Sequence, residues 1–138
     1  MADQVRKVSY AYVLVSNRPG QGEVVLDAVR RSGVDLLAFS GFPAPGGRAQ
    51  LDLVAEEMAP IRAAARKNGW RLSKVKRGFV VQGKDRVGAV HRHIQRLAKA
   101  GIGVTAADAV SAGRGRYGMI LWVKDRDYGR AAKVLSAK

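Results

Sequence analysis

The chain has 138 residues and 14.9 kDa, with 47% hydrophobic and 26% charged residues; that is the length of one ordinary domain or two very small ones, in proportions that exclude a disordered chain. The longest apolar runs, such as Met119 to Val123, fall far short of the roughly 20 residues of a membrane-spanning helix; with no secretory h-region and no cysteine, neither a membrane partner, a disulfide framework nor a thiolate metal site is expected, and a cytoplasmic location is. Twenty-five Lys and Arg against 11 Asp and Glu leave a net charge of +14, of which residues 70–138 carry +12; the second half is where an acidic partner, an anionic ligand, a nucleic acid or an acidic protein surface, would dock if there is one, the alternative being Lys and Arg on solvated faces.

In chain order, Val8 to Val15 is β-branched and aromatic and reads as a strand. It ends at Ser16-Asn17-Arg18-Pro19-Gly20, where proline and glycine force a turn. Asn17 is placed to cap a following helix and Pro19 suits its first turn. That helix turns Val25, Leu26 and Val29 inward and stops at Gly33. Val34 to Phe42 is a second strand, Pro43 to Gly47 a hairpin turn, and Ala49, Leu51 and Leu53 alternate along a third strand. A helix over Glu57 to Asn68 and a strand from Trp70 to about Lys76 close the first half.

The second half repeats the scheme. A strand containing Gly78 to Gln82 leads to the turn Asp85-Arg86-Val87-Gly88 and a helix with Val90, Ile94, Leu97 and Ala98 at helical spacing before Gly101. Ile102 to Ala112 is a second strand, Gly113-Arg114-Gly115 a turn, Tyr117, Met119, Leu121 and Val123 share one face of a third strand, and Arg126 to Ser136 is a helix. Sliding the sequence by 68 residues aligns 9–69 with 77–137 without a gap, and 12 of the 61 pairs are identical, Arg18/Arg86, Gly20/Gly88, Gly33/Gly101 and Gly47/Gly115 among them. Two copies of one unit are therefore expected, residues 1–76 and 77–138, in an α+β, ferredoxin-like βαββαβ plan whose second copy lacks its last strand. Units of that size bury little alone, so the copies should pack together. The strand edge at Gly78 to Gln82 would be unpaired unless another strand of copy one, Trp70 to Lys76, or a second chain covers it, which makes a homodimer the expectation. Ile120 and Trp122, on the opposite parity, make the second copy's other sheet face apolar.

Two such units, each with an Asn/Asp-Arg-x-Gly turn between first strand and first helix (Asn17-Arg18-Pro19-Gly20 and Asp85-Arg86-Val87-Gly88) and a Gly-Val-Asp or Gly-Ile-Gly approach to the second strand, resemble tandem ACT domains over nearly the whole chain. The resemblance implies a regulatory, non-catalytic module that binds a small molecule, most often an amino acid, at an interface between ACT units, with the turn before the first helix contacting the ligand. Carried onto this sequence, the contacting residues are Asn17, Arg18, Pro19, Gly20, Gln21 and Gly22 in copy one and Asp85, Arg86 and Gly88 in copy two; Val87 departs from the pattern, where proline is expected. The chemistry is consistent with this, since a helix N-terminus presents unpaired N–H groups to a carboxylate, while Asp85 would hold an ammonium group.

Other chemistry has little support. His91 and His93 are two apart and point to different sides of a helix, which is wrong for a shared metal, and both read as surface or partly packed histidines. No nucleophile set, paired acids or phosphate loop is spaced for catalysis, and Gly20-Gln21-Gly22 is only two glycines at a helix start. No cofactor is expected. The alternative function is an RNA- or DNA-binding ferredoxin-like module using the basic half. Arg116-Tyr117-Gly118-Met119-Ile120 distantly echoes the third-strand motif of RNA-recognition folds, but Trp122 is the one candidate for an exposed stacking ring.

Overall fold

The structure is a computed structural model that describes residues 3–138. Among these residues the chain forms β1 (Gln4–Ser16), α1 (Gln21–Arg31), β2 (Ala38–Ala44), β3 (Arg48–Ala55), α2 (Ala59–Asn68), β4 (Lys76–Lys84), α3 (Ala89–Lys99), β5 (Val104–Gly113), β6 (Arg116–Val123), a 3-10 turn at 125–127 and α4 (Tyr128–Val134). These are two ferredoxin-like units, and every ladder with a resolved register is antiparallel. Residues 9–76 form one compact unit, and residues 3–8 join 77–138 in the other.

In the unit of residues 9–76, β3 is central, pairing Leu53 with both Ala11 of β1 and Phe39 of β2. One parity of these strands, Ala11, Val13, Leu51 and Leu53, meets Val25 and Val29 of α1 and Ile61 of α2 in a single apolar cluster, which is the helix-facing stripe that the sequence spacing requires. Helix α1 begins at Gln21, with Gly20 as its N-cap at φ 90° and no side-chain cap. Asn17 therefore does not cap α1: the chain reverses through a left-handed glycine, which leaves Asn17 three residues too early to reach the first-turn amides. The expected last strand, Trp70 to Lys76, is reduced to one bridge between Leu72 and Val13, supported by Ser73 N–H donating to Tyr12 O at 2.9 Å. On this unit's β3 the buried Asp52 accepts from Gln50 Nε2 at 2.9 Å, and burial pushes its carboxyl above the usual range.

In the other unit the strand order is β1-β4-β6-β5, β1 entering through residues 4–8. The first described residues thus fill the edge that the second copy's sequence leaves open, and the reason for expecting a second chain there disappears. Val5 is 5% exposed and packs with Phe79, Val81, Leu97, Met119 and Leu121. The other end of the chain is fastened to the same strand, Lys138 N–H donating to Val5 O and Lys7 N–H to Lys138 O, each at 3.0 Å. Helix α4 is held on β4 by Tyr128, whose ring stacks on Phe79 at 4.5 Å and whose hydroxyl donates to Gly78 O at 2.9 Å. Ile120 and Trp122, expected on an open face, are buried, each 6% exposed.

The repeat extends to individual hydrogen bonds. Asn17 N–H donates to Gly47 O and Asp85 N–H to Gly115 O, at 2.9 and 2.8 Å, and Val24 and Arg92 N–H bond the carbonyls of Gly20 and Gly88. Because Val5 completes a core rather than lying on a free terminus, Val5→Ala should cost about 2 kcal/mol through lost burial and the cavity left behind. Val24→Ala, at a position 54% exposed, should change stability little. Urea unfolding of both variants checks the contrast; equal effects would mean that residues 4–8 contribute nothing to this core.

Candidate functional site

In copy one the expected site residues form a tight, exposed bend before α1. Arg18 Nε donates to Ser16 Oγ at 3.0 Å and Gln21 N–H to Arg18 O at 3.3 Å; Gly22 has room for a Cβ, the nearest atom being Leu51 Cδ1 at 3.9 Å. Asn17, Arg18, Pro19, Gly20, Gln21 and Gly22 are adjacent along the chain, and Asn17 N–H donates to Gly47 O at 2.9 Å in the turn between β2 and β3.

In copy two the equivalent turn does line a cleft, of about 400 Å³. Asp85, Arg86 and Gly88 form its rim with Ala89, Val90 and His91 at the start of α3, opposite Ala109, Val110 and Ser111 of β5, with Tyr117 of β6 as a further wall. Gly88 is the N-cap of α3 at φ 80° and brings no side chain; Ala89 N–H donates to Arg86 O at 3.1 Å, and the next N–H groups of the first turn, those of Val90 and His91, are left for water or an anion. Ser111 Oγ donates to Asp85 Oδ2 at 2.9 Å and fixes the carboxylate across the cleft. The two copies differ here for a plain reason: the residue aligned with Ser111 is Pro43, which has no hydroxyl to offer. A second cleft, of about 340 Å³, lies in the other unit between Gly33 and Pro60, and its ionisable lining is acidic: Asp35, Glu56 and Glu57.

Behind the first cleft is a cluster that sequence reasoning missed. The Asp3 carboxylate is 1% exposed and accepts from Arg92 Nη2 at 2.9 Å, from His93 Nε2 at 2.7 Å in the tautomer that carries its proton there, and from the Tyr117 hydroxyl. Arg86 Nη1 approaches the other oxygen, Oδ1, at 3.9 Å. His93, expected to be a surface or partly packed histidine, is fully buried at 1% exposed, while His91 sits on the cleft rim. Burial pushes the Asp3 carboxyl up, but the hydrogen bonds from Tyr117, His93 and Arg92 and the charge of Arg92 outweigh it and hold the group below its usual value. Burial, and then the bond to Asp3, push the Tyr117 hydroxyl the opposite way. Tyr117 faces the helices, as its parity with Met119 and Leu121 requires, and with Trp122 buried neither ring offers a nucleic acid a stacking surface. Among the described residues no group of three His, Asp or Glu is placed to hold a metal.

A carboxyl held low in the folded state favours folding when ionised: its contribution is complete above the ordinary carboxylate value and is lost as pH falls through the depressed folded-state value. Asp3→Asn should therefore be less stable than the parent at neutral pH, and the gap should close in acid when urea unfolding is followed across pH. A gap independent of pH would assign the effect to packing alone.

No family model matches the sequence, and no curated protein matches it. Solved structures do. A Bacteroides thetaiotaomicron protein superposes with TM-score 0.79 at 13% identity, covering 97% of this chain and 88% of that one. The ligand-free regulatory subunit of aspartate kinase from Thermus thermophilus gives 0.65 at 13% identity, covering 98% and 93%, and that from Thermus flavus gives 0.60 at 12%, covering 98% and 94%. At such identities the likeness is one of fold, and it spans both units and their order. With two βαββ-type copies related by a 68-residue shift, each opening its first helix with an Arg-x-Gly turn, the chain has the fold of tandem ACT domains.

Proposed function

We propose that the chain is a regulatory, non-catalytic module that binds a small zwitterion, an amino acid, in the cleft before α3. The observation that carries this reading is the pairing of opposite charges at one helix start. Asp85, fixed by Ser111, is the partner for an ammonium group, while Arg86 and the uncapped first turn of α3 are the partners for a carboxylate. The turn is shaped before any ligand arrives, since Asp85 N–H is already bound to Gly115 O at 2.8 Å, and that lowers the ordering cost of binding. The fold supports the regulatory role: the matching Thermus chains are described as regulatory subunits of aspartate kinase. The equivalent turn of copy one, Asn17 to Gly22, has the same backbone but lacks the acidic partner, and is the second place a ligand would be sought. The charge of +12 over residues 70–138 supports an acidic surface on the protein that the module regulates.

A thermal-shift screen of the whole chain against the common amino acids tests this, because a ligand that binds only the native state raises Tm, by the equivalent of about 2.7 kcal/mol at 100 times Kd. For the amino acid found, Asp85→Asn should weaken binding about tenfold and Ser111→Ala by a smaller factor, on the scale of one hydrogen bond, about 1 kcal/mol. Asn17→Ala should leave affinity unchanged. The reverse pattern would move the ligand to copy one, and a screen in which no amino acid raises Tm would remove the reading.

A further inference from the structure

The internal repeat supplies a control for the buried cluster around Asp3. At the positions that hold Gly83, Arg92, His93 and Tyr117 in copy two, copy one has Val15, Val24, Val25 and Ala49. The same strand and helix thus fold with aliphatic residues throughout, so the polar set is not a requirement of the architecture. Nor is it the economical choice for stability, since a buried ion pair replaced by well-packed apolar residues is often neutral or stabilising. Two features show a space shaped for a carboxylate. Gly83 replaces a valine, and a Cβ on it would fall on the Asp3 carboxylate. Three donors, from Arg92, His93 and Tyr117, converge on a single oxygen, Oδ2, while Oδ1 and the ring Nδ1 of His93 are buried without a hydrogen-bond partner.

We propose that Arg86, Arg92, His93 and Tyr117, over the bare backbone of Gly83, form a carboxylate-binding site that the chain fills with its own Asp3, so that Asp3, directly before β1, is a tethered ligand. Asp3 stands one residue ahead of β1, and the strand itself is anchored by Val5 and by the two hydrogen bonds to Lys138. The carboxylate can therefore leave its site by rotation about a single residue while residues 4–8 stay paired. Arg86 and Tyr117 also line the cleft, so a free monocarboxylate reaches the same donors from that side. The site is defined by Asp3 and stands whether or not an amino acid occupies the cleft.

Chemical rescue tests this on the whole chain with formate as the probe. Asp3→Ala leaves Arg92 and His93 facing an empty space and should lower Tm by roughly 10 °C. Formate should recover a large part of that loss, and chloride at equal ionic strength should not. The parent, whose site is taken, should respond equally to the two salts. Adding Arg92→Ala to Asp3→Ala should abolish the rescue. Should Asp3→Ala not fold in chloride, refolding on addition of formate supports the site and failure to refold overturns it. It is overturned equally by Asp3→Ala melting with the parent, by formate and chloride acting alike on it, or by rescue that survives the loss of Arg92.

Discussion

The backbone edge of β4 has to be paired, and the chain pairs it with residues 4–8 of β1. An unpaired strand edge beside a buried face is costly in lost hydrogen bonds and invites association. Because residues 4–8 take this place, the 13-residue β1 serves both units, its later residues, from Ser9 to Ser16, pairing with β3. The unit of residues 9–76 is then an insertion between two segments of its twin. The position of Asp3 follows from the same constraint: fixing Val5 in the core brings the residue two places earlier over Gly83 and within reach of α3.

Much of this was legible because each copy obeys local rules. The glycines at 20, 33, 88 and 101 all have positive φ, and they mark the helix ends that the 68-residue shift lines up. Strand parity placed Leu53 and Leu121 in the two cores. What was not legible concerns partners. Gln4 to Val8 extends a β-rich run, but nothing in five residues says which strand they pair with, and Trp70 to Lys76 is apolar enough for a strand yet pairs only through Leu72. β-propensity measures fit to a pleated surface, not the identity of the neighbour.

The candidate site divides in the same way. The turn residues were found because they lie together in the chain, whereas Asp3 is 90 residues from His93 and 114 from Tyr117. A signal did exist in the sequence, in the differences between copies rather than in their similarities. Where a repeat keeps its glycines and its core, a coordinated change of Val15, Val24, Val25 and Ala49 into Gly83, Arg92, His93 and Tyr117 creates one space and three polar groups at once. Read separately, His93 looks like an ordinary helix residue and Tyr117 like a core aromatic, which is why neither stood out.

Arg86 and Tyr117 belong both to the wall of the cleft and to the surroundings of Asp3, and that double membership has a thermodynamic consequence. A carboxylate in the cleft draws on donors that the Asp3 carboxylate also uses, and two anions sharing cations bind less well together than apart. Linkage makes the penalty reciprocal: whatever loosening of Asp3 accompanies the ligand, fastening Asp3 weakens the ligand by the same factor. In copy one, where Val25 and Ala49 stand in place of His93 and Tyr117, a ligand at the Asn17 to Gly22 turn would meet no such opposition. On the proposed reading the two copies would therefore respond differently to a ligand. In the charged one Asp3 stands directly before β1, and β1 continues without a break to the residues that pair with β3.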